Sequence, residues 1–233
     1  MLKRASRAAP VIGVIMDHVA GDSRASLWPG IADTVRAHGG ALLCFAGGCL
    51  HDPHDFSARD NLVYDLIDVD RLDGLIIWAS SLASDVGPES IARFCARFRS
   101  LPIVSIGLAF EGIPGVLLDS YQGMRDAIAH LIEMHGRRRL AFIRGPAGHR
   151  DAEERYRAYV ETLRDYGLPL VPELVSPHHR WYDPGGHMTV RLLLDERRVD
   201  FDAVVCVNDD LAVQAMEALQ TRGLRVPEDV SVV

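Results

Sequence analysis

The chain has 233 residues, of which 48% are hydrophobic, 24% charged and 7% aromatic, an ordinary globular composition with enough length for a sizeable core or two small lobes. Its net charge of −7 excludes a general polyanion binder, because phosphate contacts need a basic face. No stretch approaches the ~20 apolar residues of a membrane span.

The four cysteines (Cys44, Cys49, Cys95 and Cys206) show no Cys-x-x-Cys pairing. Cys44, Cys95 and Cys206 fall in apolar or helical patterns, as small buried hydrophobes do in a reducing compartment, so neither a disulfide nor a zinc site is expected. Lys3, Arg4 and Arg7 before the apolar run Ala8 to Met16 resemble an export signal. That run is short, ends at Asp17-His18 and lacks a small-residue cleavage site, so it reads as a first strand of a cytoplasmic chain.

In chain order, residues 1–10 form a tail and Val11 to Met16 is an apolar, β-branched run suited to a central parallel strand. A loop from His18 to Ser26 precedes a helix through Leu27, Ile31 and Val35, with Pro29 in its first turn and Gly39-Gly40 at its end. Ala41 to Ala46 is a second strand, and a loop spans Gly47 to Asp55. Leu62, Leu66 and Val69 mark a helix over Ala58 to Asp70. Leu75 to Trp78 is a third strand, Pro88 opens a helix, Ile103 to Ile106 is a fourth strand and Gly115 to Leu118 a fifth. This alternation with short connections predicts a doubly wound parallel sheet.

The chain then starts again. Asp119 or Ser120 caps a helix carrying Met124, Ala127, Ile128, Leu131 and Ile132, which Gly136 stops. Arg137 to Arg139 follow as a solvated helix end, where cations suit the dipole. Leu140 to Ile143 is a strand, a helix carries Arg155, Tyr159 and Leu163 to Gly167, and Glu173 to Ser176 is a strand. A loop over His178 to Gly186 surrounds Trp181; a helix over Met188 to Glu196 and a strand over Ala203 to Val207 follow. The next helix stops at Gly223, and Val230 to Val233 begins another strand. The expectation is an α/β protein of two doubly wound parallel-sheet lobes, residues 11–118 and 119–233, the second incomplete within its last strand.

Several passages carry a resemblance. They are Ile12-Gly13-Val14-Ile15, Asp119-Ser120-x-x-Gly123, His130-Leu131-Ile132-x-x-His135-Gly136-Arg137-Arg138-Arg139-Leu140-Ala141-Phe142-Ile143, and Arg155-Tyr156-x-Ala158-Tyr159. Asp202-Ala203-Val204-Val205-Cys206-Val207-Asn208-Asp209-Asp210-x-Ala212 and Val226-Pro227-Glu228-Asp229-Val230-Ser231-Val232-Val233 complete the set. Six in order over nearly the whole length closely resemble the ligand-binding core of the LacI/GalR family, which has the periplasmic sugar-binding-protein fold. The resemblance implies a small-molecule effector, a sugar by the family's weight, no cofactor and a homodimer. The family's repressors carry a helix-turn-helix head, and the few residues ahead of the first strand are too short for one. Leu42 to Gly48 and Asn61 to Leu66 look more like sensor modules of bacterial signalling proteins. The main expectation is therefore a sensor passing lobe closure to a fused or partner output domain, a kinase, a cyclase or a DNA-binding head. The alternative is a repressor core whose head is absent; an exported sugar-binding protein and a doubly wound enzyme are further readings.

Ligands of open parallel sheets sit beyond the carboxyl ends of the strands. That rule selects Asp17, Trp78, Ser80, Gln122, Asn208 and Asp209 without appeal to family. Arg155, whose fixed donors grip paired hydroxyls or a carboxylate, matches the family's cleft arginine. Trp181 resembles its cleft aromatic, whose face stacks on a sugar or base. Each has a plainer reading: Arg155 pairing with Glu153 or Glu154, Trp181 anchoring its loop, Trp78 lying in the core, Asn208 or Asp209 capping a helix, Asp17 ordering a turn. His130 and His135 are five apart and so not on one helix face, and no metal site is expected of them. No nucleophile elbow, Walker loop or dinucleotide fingerprint appears, and no catalytic residue is assigned.

Overall fold

A computed structural model describes residues 9–19, 22–50, 57–83, 88–181 and 183–233. The basic part of the tail and much of the loop after Leu50 lie outside the described residues. The chain divides into two compact units, Met1–Leu118 and Asp119–Val233. Among the described residues no helix is long and apolar enough to cross a membrane.

The first unit runs β1 (Val11–Met16), α1 (Asp22–Ala37), β2 (Ala41–Ala46), α2 (Ser57–Asp60), β3 (Gly74–Trp78), α3 (Ala79–Leu82), α4 (Pro88–Ala96), β4 (Ile103–Ile106) and β5 (Gly115–Val116). Its sheet is parallel throughout, in the order β2-β1-β3-β4-β5. Chain order reverses between β1 and β3, because one connection leads outward to β2 and the later ones lead the other way. The second unit runs α5 (Ser120–Glu133), β6 (Leu140–Arg144), α6 (Arg150–Asp165), β7 (Val175–His178), α7 (Gly185–Arg191), β8 (Ala203–Cys206), α8 (Asp209–Thr221) and β9 (Ser231–Val232). Its sheet, also parallel, has the order β7-β6-β8-β9 and reverses between β6 and β8. The expectation of two doubly wound parallel-sheet α/β units holds. Each sheet is covered on both faces: β6 and β8 send Ala141, Ile143, Val204 and Cys206 to one cluster and Leu140, Phe142, Ala203 and Val205 to the other.

Several boundaries differ from the sequence expectation, each for a local reason. Helix α1 starts at Asp22, inside the predicted loop, so Pro29 lies in its interior. The helix predicted over Ala58 to Asp70 is a single α-turn followed by 3-10 turns over Asn61–Leu66 and Val69–Arg71. There the Asn61 side chain accepts from Gly48 N at 2.9 Å and donates to Cys49 O at 3.0 Å, and Asp68 accepts from Asp70 N. Such bonds compete with a helical ladder. The strand predicted from Glu173 begins as a 3-10 turn over Pro172–Leu174, and β5 stops at Val116, leaving Leu118 exposed. Helix α7 starts at Gly185 and passes into a π-helical turn over Leu192–Arg197, closed by left-handed Arg198 at φ 52°. Cys44 is exposed rather than buried because β2 is an edge strand.

The arginine run is also more than a solvated helix end. Arg137 forks onto the turn before β9, donating to Pro227 O at 2.6 Å and Ser231 Oγ at 3.0 Å. The backbone N–H groups of Arg138 and Arg139 both donate to the Asp202 carboxylate, at 2.8 and 3.0 Å. The run ties α5 to β8 and β9.

Candidate ligand-binding site

A parallel sheet that reverses its winding leaves a crevice where two connections diverge from neighbouring strand ends. In the first unit that point lies between the carboxyl ends of β1 and β3, which Asp17 and Trp78 follow or close. Both are taken up by their own unit. Asp17 is fully buried, and Trp78, 9% exposed, packs with Val14 and Met16 against Trp28 and Ile31. Next to Asp17, the Tyr64 hydroxyl reaches Met16 O at 3.0 Å and Gly48 O at 2.9 Å. Burial, and then the charge of Asp17, push the Tyr64 phenol well above its ordinary range. Ser80 is half-buried in α3, packed where a side chain on left-handed Gly107 (φ 84°) would have to go.

In the second unit the corresponding point lies between β6 and β8, where Ile143 is in register with Cys206. Arg155, half-buried on α6, donates to Val207 O at 2.5 Å and contacts Ser120 Oγ at 3.4 Å. It is not the helix-surface pair that its neighbours offered: Glu153 binds Arg144 at 3.0 Å and Glu154 binds Arg157 at 2.5 Å. The guanidinium thus joins the first turn of α5 to the end of β8 with part of its five donors.

Asn208 is the next residue after the carbonyl that Arg155 holds. Its Oδ1 accepts from Leu211 N at 3.1 Å and caps α8, while Asp209 is exposed in the first turn, where a carboxylate suits the helix dipole. Gln122 stands in the exposed first turn of α5, above the Asp119 cap, and donates to Asp126 at 2.6 Å.

Trp181 lies over the end of β6. A Cβ on Gly145 would come within 3.2 Å of its ring and of Val207 Cγ1, so any side chain there would crowd the indole and the neighbours would have to give by a few tenths of an ångström. The ring is half-buried and meets His149 edge-on, with centroids 4.9 Å apart and planes at 90°. Its loop is held by Arg180 N to Asp183 at 2.8 Å, His178 to Gly145 O at 3.0 Å and buried His179 to Thr189 at 3.0 Å. Burial holds the His179 imidazole below its ordinary value.

One strand-end edge of the second unit therefore gathers Arg155, Trp181, Asn208 and Asp209 around Gly145 and Val207. Three neighbours escaped the sequence reading. Ser120 was weighed only as a cap, and His149 lay in a polar loop without periodicity. Arg144 ends β6 and stands 4.0 Å over the Tyr156 ring; the strand-end rule, applied to that strand, would have drawn it.

Residues 128–233 match a family described as periplasmic binding protein-like domain. The HTH-type transcriptional regulator AscG of Escherichia coli K12 is 31% identical over 180 residues, covering 77% of this chain and 52% of that protein. A solved sugar-binding transcriptional regulator of the LacI family from Escherichia coli, complexed with phosphate, superposes with a TM-score of 0.72 at 27% identity. It covers 96% of this chain and 77% of that one. The chain has the ligand-binding core of the LacI family. A transcriptional regulator CelR–cellobiose complex is similar at a TM-score of 0.75 and 26% identity, over 95% of this chain and 66% of that chain. This LacI-family chain spans about half the length of the curated relatives it matches. Those relatives are transcriptional regulators and repressors, so the comparison favours a repressor core over the kinase- or cyclase-linked sensor that the sequence suggested first.

Proposed function

We propose that this chain is the effector-binding core of a LacI-type transcriptional repressor, binding a small polar metabolite, a sugar in the first instance, without catalysing its conversion. The observation that carries this is the Arg155 guanidinium. It is fixed at the reversal point of the second sheet by Ser120 and by Val207 O, one residue before Asn208, while the Trp181 ring and the Val207 side chain both pack at Gly145. A planar donor fork, a side-chain amide and an aromatic ring on one strand-end edge suit a ligand with vicinal hydroxyls and an apolar ring face. Gln122 is a further contact in this reading, with Asp209 at the rim of the same edge, whereas Asp17, Trp78 and Ser80 are taken up by packing within the first unit.

On this reading the core works in the cytoplasm, pairs as a homodimer and needs no cofactor. A separate head makes the DNA contact, and the core itself binds no nucleic acid. Effector binding changes repression only by preferring one arrangement of the two units over another.

A thermal-shift series with soluble sugars, cellobiose first, tests the assignment. Ligand at 100 times its dissociation constant adds about 2.7 kcal/mol of stability. Arg155→Ala is expected to abolish that shift. A shift of the same size in wild type and variant overturns the role given to Arg155.

A further inference from the structure

Residues five apart on a continuous helix point to different sides, yet His130 and His135 meet. Helix α5 ends at Glu133, and Gly136 takes the left-handed conformation at φ 65°. The following Arg137 N bonds back to Leu131 O at 3.0 Å, so the chain folds over its own last turn. The two Nε2 atoms then lie 3.0 Å apart on exposed residues, with ring centroids at 4.8 Å and planes at 72°. The expectation that the spacing separates them is corrected by the helix ending between them.

Two arrangements give such a short separation: an N–H donated from one ring to the other, or two lone pairs converging on one ion. With metal–nitrogen bonds of about 2.05 Å, rings sharing an ion at this separation have centroids about 4.7 Å apart, whereas rings meeting head-on stand about 5.3 Å apart. The observed 4.8 Å excludes rings meeting head-on and fits convergence on one ion, as it also fits an N–H donated to a tilted ring. The same bond length at 3.0 Å separation gives a nitrogen–metal–nitrogen angle of roughly 95°, while a tetrahedral ion would ask for about 3.3 Å. Near-right angles are those of tetragonal copper(II) and nickel(II), and copper(II) also heads the affinity order of divalent ions for imidazole.

We infer that His130 and His135 form a surface chelate for a divalent transition metal ion, copper(II) first and nickel(II) next, separate from the Arg155 site. Both rings bind as neutral imidazoles through Nε2, the proton of each standing on Nδ1. No third His, Cys, Asp or Glu joins them among the described residues, so water fills the remaining positions.

The test is calorimetric titration of the whole chain with copper(II) chloride at pH 7.5 in a non-chelating buffer. His130→Ala and His135→Ala are compared with His38→Ala, an exposed histidine bonded to Thr34 O elsewhere. All three positions are exposed, and circular dichroism verifies that each variant is folded. One equivalent, present in wild type and in His38→Ala, is expected to weaken at least tenfold in each of the other two. Equal binding in all four proteins, or a loss confined to only one of the pair, overturns the chelate and leaves adventitious binding by the chain's ten histidines.

Discussion

The two sheets wind alike, yet their reversal points differ. In the first unit the residues at that point are consumed by packing: Asp17 is buried beside Tyr64, and Trp78 lies in the cluster around Val14 and Met16. In the second, Arg155 and Trp181 stay half-exposed while hydrogen bonds and a glycine fix their positions. Both edges satisfy the strand-end rule, so topology alone does not distinguish a binding edge from a packed one. What distinguishes them is whether the polar groups are held at the surface or drawn into the core.

This contrast can be broken at its supports, beginning with the second unit. Gly186→Ala would put a Cβ 2.5 Å from Gln214 Cβ and 2.7 Å from Ala215 N, where α7 meets α8. Overpacking against a helix backbone costs roughly 2–3 kcal/mol, read as a lower urea midpoint. Gly123→Ala in α5, with nothing within 4 Å, serves as its contrast and should be neutral or slightly stabilising. In the first unit, Tyr64→Phe leaves Met16 O and Gly48 O without their shared donor. The expected loss is about 1–2 kcal/mol, and an unchanged unfolding midpoint would refute the account of that edge. Asn208→Ala removes the cap of α8 and should cost about 1 kcal/mol, visible as a lower Tm even without ligand.

The smallest effect is one of pH. His179 binds its proton less readily folded than unfolded, because burial disfavours the charged ring. Below its ordinary value of 6.5 the unfolded chain therefore takes up the proton first, and stability falls as pH drops through and below that value. Urea midpoints at pH 8 and pH 5.5 should differ more in wild type than in His179→Gln; equal differences would remove His179 as the cause.

The legible parts of the molecule were those governed by period. The apolar runs at Val11, Leu75, Leu140 and Ala203 became central strands because strands covered on both faces need apolar residues throughout. Boundaries were lost where side chains bond the backbone. Asn61 and Asp68 turned a predicted helix into 3-10 turns, and no periodicity registers their partners at Gly48, Cys49 and Asp70. The edge position of β2, which exposes Cys44, follows from strand order rather than from residues 41–46.

Sequence by itself determined the α/β alternation, the break at Asp119 and the family, since each rests on local patterns or on motifs read in order. Only tertiary structure decided what Arg155 binds, that Gly145 makes room for Trp181, and that His130 meets His135. Those facts depend on atoms brought together from positions up to 52 residues apart, as with Arg155 and Val207. A one-dimensional pattern holds the residue types and omits the distances between them.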